Sequence, residues 1–461
     1  MTAMDGGFSV EGQRVTVVGA ARSGLAAADL LARRGARVTL SEQADSVAEG
    51  DRLRQEGVTL ELGGHHRETF VSADLLVLSP GVPLDQPFVA EARAAGVPVI
   101  GEIELASRWL KGRVIAITGT KGKSTTTALT GLMLEASGVR ARVGGNIGAP
   151  LSAQVDDSTP DTVHVVEVSS FQLETTDRFH PWIAALLNFS ADHLDRHATV
   201  ESYGAAKTRV FERQQSDDWS VVNADDAAAV QLAGPYRSRR RWYGFEDIAE
   251  GVTVAGDAVV ERSAAGDRPL VALSAVRVPG RHILSDVLAA SAISRLSGGT
   301  PDGITTAVRG FAGLEHAMEL AGEVAGVRFV NDSKATNVIS ARNSFESVSA
   351  GLVAILGGRY KGGDFRDLRE PLRARARAVV AIGESASRVE EALADVMPVE
   401  RATSMDDAVR RAFRRARPGD TVVLAPACSS FDMFASYAER GHAFKHAVAQ
   451  LARERRPGGE R

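Results

Sequence analysis

The stretch Val114–Thr127, VIAITGTKGKSTTT, holds the residue types and spacing that point most directly to chemistry. A short apolar run gives way to Gly119-Thr120-Lys121-Gly122-Lys123-Ser124-Thr125, and then to residues of helical pattern. Glycines let a backbone wrap closely around an anion with its N–H groups turned inward. The N-terminus of the following helix adds partial positive charge at the same place. Lys123 is placed to reach the β- and γ-phosphates of a nucleoside triphosphate, and the Ser124 hydroxyl to ligate Mg2+. The spacing therefore predicts ATP binding. The loop is shorter than the common form, because Ile117 stands where its first glycine belongs and Gly119 serves instead.

Further polar groups close other apolar runs. Glu167 ends the strand pattern Val163–Val168, where a carboxylate can hold Mg2+ opposite Ser124. His193, in Asp192-His193-Leu194-Asp195, follows Ile183–Leu187 and is a candidate ligand for the same ion. Lys207, in a helix expected over Val200–Arg213, reads from pattern alone as a surface lysine, since an ammonium has no lone pair for a cation.

These groups need elements to hold them. The first hundred residues alternate strand and helix signals: strands at Arg14–Val18, Val38–Leu40, Leu75–Leu78 and Val97–Ile100, helices at Leu25–Arg34 and Phe88–Ala95. Such alternation predicts a parallel sheet with helices on its faces. The turn Gly19-Ala20-Ala21-Arg22-Ser23-Gly24 resembles a dinucleotide fingerprint, but Ala21 replaces the glycine that admits a pyrophosphate most closely. Glu42, after the second strand, is available for a ribose hydroxyl. A Rossmann-like module for a diphosphate is expected, with a ligand-free turn as the alternative. A Trp-containing helix over Glu104–Leu110 leads through Lys111-Gly112-Arg113 into the phosphate-loop region. Residues 235–277 are rich in short strand patterns, and from Gly313 the alternation restarts with strands at Val327–Val330, Leu352–Leu356, Val379–Ile382 and Thr421–Leu424. In open parallel sheets ligands sit beyond the carboxyl ends of strands, and the polar clusters above fall there.

The 461 residues carry 44% hydrophobic and 24% charged side chains, as in globular enzymes with several domains. A net charge of −4 gives no electrostatic case for nucleic acid. One cysteine, Cys428, excludes an intrachain disulfide and a cysteine-based zinc cluster. No secretory signal and no membrane-spanning stretch is recognised, so a cytoplasmic protein, expected to be a monomer without membrane insertion, is the default.

The motifs Gly119–Thr125, Gly145-Asn146-Ile147-Gly148, Glu167-Val168-Ser169-Ser170-Phe171-Gln172-Leu173-Glu174, Asp192–Asp195 and Ala205-Ala206-Lys207 together resemble the Mur ligases. The resemblance continues through Asn331-Asp332-Ser333-Lys334-Ala335-Thr336-Asn337, Leu356-Gly357-Gly358 with Lys361, and Ser429-Ser430-Phe431-Asp432-Met433-Phe434. It implies an α/β protein of three domains: a UDP-sugar-binding Rossmann-like domain over 1–108, an ATP-binding P-loop domain over 109–311 and a Rossmann-like glutamate-binding domain over 312–461. It implies an ATP-dependent amide ligase of peptidoglycan precursor synthesis that adds glutamate to UDP-N-acetylmuramoyl-L-alanine through an acyl phosphate. ATP and Mg2+ are the implied cofactors. Lys207 matches the family's carbamylated lysine, whose two carbamate oxygens suit Mg2+, so that Lys123, Glu167, His193 and Lys207 form the catalytic set and Ser124, Glu167, His193 and Lys207 the metal set. Asp332 joins the glycine loop as an ATP contact. Ser23, Glu42, Asn146 and Ser169 are the implied UDP-sugar residues; Lys334, Thr336, Lys361, Ser430 and Tyr437 the glutamate residues, with a helix start expected at Ser429-Ser430.

The chain also departs from that family's pattern. Ile283 and Asp286 stand where two asparagines are usual after His282, and Gly313-Leu314-Glu315-His316-Ala317 lacks the usual closing arginine. A relative that adds L-glutamate, or an ATP-binding protein of this fold without ligase activity, are the alternatives these changes leave open; a NAD dehydrogenase would rest on the first turn alone.

Overall fold

The computed structural model describes residues 8–47, 49–192, 196–278, 280–348, 351–360 and 362–455. It divides into two compact units, Met1–Phe311 and Ala312–Arg461.

The first unit contains two sheets. The smaller has the strand order Thr59–Glu61, Arg37–Ser41, Arg14–Val18, Leu75–Leu78, Val99–Gly101, all parallel. Its central strands are apolar almost throughout, as strands covered on both faces must be. Connections leave Arg14–Val18 and Leu75–Leu78 toward opposite edges, which opens a crevice at their carboxyl ends. The larger sheet runs Gly266–Ala272, Ala258–Ser263, Gly251–Ala255, Arg239–Tyr243, Trp219–Asn223, Ile183–Leu186, Arg113–Thr118, Val163–Glu167, Ala141–Gly145. Only the pairings involving Ala258–Ser263 are antiparallel. The second unit holds a six-stranded sheet, Glu319–Val324, Val327–Asn331, Thr421–Leu424, Leu352–Gly357, Ala376–Ile382, Val399–Ala402, parallel except at its first pair. The α/β architecture with three sheets is thus the one the sequence implies.

Three elements differ from the sequence reading. The helix before the phosphate-loop strand is Glu102–Ser107 and excludes Trp109, whose indole donates to Phe8 O at 3.0 Å and packs on the Phe8 ring. Tertiary packing, invisible to helical periodicity, ends the helix early. The helix bearing Lys207 is Val200–Thr208, closing in the 3-10 turn Arg209–Phe211 rather than running on to Arg213. No helix starts at Ser429-Ser430: Ser429 and Arg359 exchange backbone hydrogen bonds of 3.0 Å in an isolated bridge, and the helix begins at Tyr437, capped by Ser436. Short elements at Gly50–Gln55, Thr59–Glu61 and Arg67–Val71 carry too few residues for a periodic signal. Among the described residues, no helix is long and apolar enough to cross a membrane.

Candidate active site

The glycine loop leaves strand Arg113–Thr118 between two parallel neighbours, with Ile117 in register with Glu167 and Thr118 with Leu186. The loop after Ile183–Leu186 therefore lies beside it. Asn188 from that loop fastens it: its Oδ1 accepts from Thr120 N (3.1 Å) and Lys121 N (2.8 Å), and its Nδ2 donates to Lys121 O (3.0 Å). Gly122 has φ +80° at the cap of helix Lys123–Ala136, and a Cβ there would fall 2.2 Å from Asp286 Oδ1. Only glycine meets both demands. Asp286 itself is held above the usual carboxylate range, at about 7, by burial, while Thr126 Oγ1 donates to its Oδ1 at 3.3 Å.

Two lysines converge on one oxygen. Lys123 Nζ donates to Gly119 O at 2.9 Å and to Thr120 O at 2.9 Å; Lys207 Nζ donates to the same Gly119 O at 2.8 Å. Lys207 is buried, with the ring of Tyr203 4.7 Å from its ammonium. Burial first, and the charge of Lys123 second, hold its pKa well below the ordinary lysine value. The amine is thereby biased toward its neutral, nucleophilic form. Glu167 is also buried: Oε1 accepts from Asn146 Nδ2 at 2.7 Å, and Oε2 has no hydrogen-bond partner among the described residues. Ser124 sits in the first turn of the loop's helix. An unsatisfied carboxylate oxygen and a hydroxyl at a helix start are the hard oxygen donors that a Mg2+ ion takes, so the residues present fit that ion. His193 lies outside the described residues.

A cavity of about 510 Å³ opens at the crevice of the smaller sheet, lined by Ser23, Glu42 and Asn146 together with His65, Gln86 and Gln172 among others. Ser169 is not in its lining; its hydroxyl accepts from Gln172 N at 3.2 Å and caps the short helix Ser170–Leu173. Glu42 Oε2 accepts from Ala20 N at 2.6 Å, so the acid also holds the glycine turn in place. Asn146 spans both sites, lining the cavity while donating to Glu167.

In the second unit the polar loops gather at the carboxyl ends of the parallel strands. Asp332 N donates to Leu424 O (2.8 Å) and Ala427 N to Ala335 O (3.0 Å), which brings the loop of Lys334 and Thr336 against the loop leading to Ser430. Asp332 is buried, accepting from Met318 N at 3.2 Å and from the Ser344 hydroxyl, and burial raises its pKa. Tyr437 is partly exposed at the first turn of its helix, and its carbonyl accepts from Ser333 Oγ at 2.7 Å. Lys361 lies outside the described residues. Sequence reasoning missed Asn188 and also Arg440. The Arg440 guanidinium is 2% exposed and donates to Ser333 Oγ (2.9 Å), Ser333 O (2.8 Å) and Cys428 O (3.1 Å), tying the two loops together. Burial lowers its pKa to about 10. Its signal was a charged residue on the face shared by Phe444, Val448 and Leu451.

Comparison with known proteins decides the family. The UDP-N-acetylmuramoylalanine–D-glutamate ligase of Acidobacterium capsulatum is 46% identical over 96% of this chain and 97% of its own length. The chain belongs to the Mur ligase family. A second Mur ligase of the same name, from Koribacter versatilis, is 43% identical over 97% of this chain and 99% of its own. Family models agree in order: the Mur ligase MurD-like N-terminal domain over residues 13–101, the Mur ligase middle domain over 117–294, and the Mur ligase glutamate ligase domain over 318–428. Among solved structures, the UDP-N-acetylmuramate–alanine ligase of Thermotoga maritima shares the Mur ligase fold with a TM-score of 0.60 at 17% identity, covering 95% of this chain and 99% of that one.

Proposed function

We propose that this chain joins D-glutamate to UDP-N-acetylmuramoyl-L-alanine at the expense of ATP, a step of peptidoglycan precursor synthesis. The observation that carries the reading is the convergence of Lys123 and Lys207 on Gly119 O, within electrostatic reach of Glu167, whose Oε2 has no hydrogen-bond partner among the described residues, in a chain 46% identical to a ligase of that name. Lys123 there supplies a cation for phosphate, and a buried Lys207 amine biased toward its neutral form can take up CO2 as a carbamate for Mg2+; the reaction brings two anions, a polyphosphate and a carboxylate.

In this reading the alanine carboxylate attacks the γ-phosphorus of ATP. The bond to the β,γ-bridging oxygen breaks, ADP leaves, and an acyl phosphate forms. The glutamate amine then attacks the acyl carbon, loses a proton, and expels inorganic phosphate as the amide forms. The residues of this chain lower the repulsion between the two anions. The loop backbone and helix start receive the phosphates, and Lys123 exchanges its carbonyl partners for phosphate oxygens. Mg2+, held by Ser124, Glu167, His193 and carbamylated Lys207, would supply charge neutralisation and orientation. The cavity with Ser23, Glu42 and Asn146 takes the UDP-sugar, with Ser169 at its margin. Asp332 contacts ATP, and Lys334, Thr336, Lys361, Ser430 and Tyr437 receive glutamate, which assigns residues 1–108, 109–311 and 312–461 to sugar, ATP and amino acid. ATP and nucleotide-linked sugars are cytoplasmic metabolites, and the reaction would run there.

The test is phosphate release from ATP with UDP-N-acetylmuramoyl-L-alanine and a panel of D- and L-amino acids. Release should require D-glutamate. Release indifferent to the amino acid, or driven by L-glutamate, would remove the proposal.

A further inference from the structure

In the second unit, Glu315, His316 and His442 bring one ligand atom each to within 4.8 Å of one another. His442 Nε2 lies 3.0 Å from Glu315 Oε1, and His316 Nε2 lies 3.9 Å from the same oxygen. His316 is 3% exposed, yet its buried Nε2, aimed at this cluster, has no hydrogen-bond partner among the described residues. A buried imidazole nitrogen left without a partner is costly unless something else serves it. The ring's place against helix Tyr437–Glu454 is specific: a Cβ on Gly441 would fall 2.2 Å from His316 Nδ1.

The geometry points to a binding site for a divalent transition-metal cation of the zinc class, held by Glu315, His316 and His442. Two imidazole nitrogens and one carboxylate oxygen are a zinc-type donor set, whereas Mg2+ takes oxygen in octahedral array. Bonds of about 2.0–2.1 Å place adjacent tetrahedral ligands about 3.3 Å apart, between the two separations measured here. Glu315 and His442 are exposed, so both can adjust and solvent can fill a fourth position.

An ion pair alone does not account for the cluster. Lys445 Nζ lies 2.6 Å from Glu315 Oε1 and 2.9 Å from Glu319 Oε1, so one ammonium faces two carboxylates and a negative charge is left over. It does nothing for His316 Nε2. With a metal on Glu315, Lys445 keeps Glu319 Oε1. Metal binding through Nε2 requires the ring proton to sit on Nδ1, which in the metal-free geometry accepts from Asn331 Nδ2 at 2.9 Å. Glu319 Oε2, 3.8 Å from Nδ1, is the carboxylate that closes on the ring to accept that N–H in the carboxylate–histidine–metal arrangement. Asn331 Nδ2 retains Glu319 Oε2 at 3.0 Å and Gly441 O at 3.4 Å. Once Glu319 closes on Nδ1–H and Asn331 Nδ2 turns from it, both ring nitrogens of His316 have a partner.

The test is calorimetric titration of the metal-stripped full chain with Zn2+ in excess Mg2+, repeated with Co2+ while recording visible absorbance. The wild type should bind one Zn2+ that His442→Ala and Glu315→Gln each weaken at least ~10-fold, with Glu319→Gln costing ~10–100-fold through the ligand's orientation. Co2+ should give intense visible bands of low-coordinate geometry, lost in His442→Ala. Both ligand variants are at exposed positions, and an unchanged far-ultraviolet spectrum will show that they fold. Zinc binding identical in wild type, His442→Ala and Glu315→Gln, or no zinc binding by the wild type, would overturn the site.

Discussion

Replacing Lys207 by methionine separates a lysine kept for chemistry from one kept for structure. The side chain is buried and, among the described residues, its ammonium donates to Gly119 O, which also receives Lys123 Nζ. Lys207→Met therefore orphans no carbonyl. It removes a desolvated charge and keeps a chain of similar volume, at the loss of a cation–π contact with Tyr203 worth ~1 kcal/mol. Replacing buried charge by well-packed apolar groups is neutral to stabilising by ~1–4 kcal/mol, so the net expectation runs from a loss of ~1 to a gain of ~3 kcal/mol. The sign has a pH signature. Because burial depresses the native pKa, the unfolded chain binds the proton more readily, and native stability rises with pH between the folded value and 10.5. The advantage of the methionine variant is fullest below the folded pKa and vanishes above 10.5. Turnover should nonetheless fall by ~10²–10³, the loss of a positioned charge in phosphoryl transfer. Thermal melts across pH in CO2-free buffer measure the first, and coupled phosphate release in bicarbonate-containing buffer measures the second. A variant with turnover close to wild type, or one destabilised by more than ~2 kcal/mol at neutral pH, would refute the reasoning.

Asn188→Ala removes the side-chain acceptor of two loop N–H groups and should raise the KM for ATP ~30-fold, at ~1 kcal/mol per bond, while leaving the KM for glutamate unchanged; initial rates at varied ATP decide. Glu102 is fully buried, with Oε1 accepting from Ser152 N and Oε2 without a partner among the described residues, and burial raises its pKa to about 7. The native state thus holds a proton that the unfolded state releases near 4.5, so its contribution is present below 4.5 and lost as pH rises through about 7. Glu102→Gln should gain ~3 kcal/mol on the wild type between those values, read as diverging urea midpoints at pH 5 and 8; parallel midpoints would count against it. Arg440→Met removes the guanidinium bonds to Ser333 O and Cys428 O and should destabilise the second unit by ~2–4 kcal/mol and raise the KM for glutamate; an unaltered KM would show that the two loops hold their places without it.

What the sequence disclosed and what it withheld follow from where each constraint acts. The glycine loop was legible because strand, turn and helix start are contiguous, and so were the strand-end acids, because apolar runs announce buried parallel strands. The helix expected at Ser429 was not there because Arg359 takes the Ser429 N–H and carbonyl from 70 residues away. Trp109 left its helix for Phe8 by the same kind of distant bond. Arg440 hid on an apolar helix face because a guanidinium satisfied by carbonyls looks, in sequence, like any surface arginine. The meeting of Lys123 and Lys207 on one oxygen, 88 residues apart for Lys207 and Gly119, is set by neither local spacing. Sheet register sets it: once Ile117 pairs with Glu167 and Thr118 with Leu186, the loops beyond those strands must share one edge, and the helix that follows the second carries Lys207 onto the first. The chemistry is therefore as robust as that register. A substitution that slips Val163–Glu167 by one residue would turn Glu167 to the other face of the sheet and abolish turnover with every site residue still present, whereas truncating a single site side chain leaves the remaining loops where the strands put them.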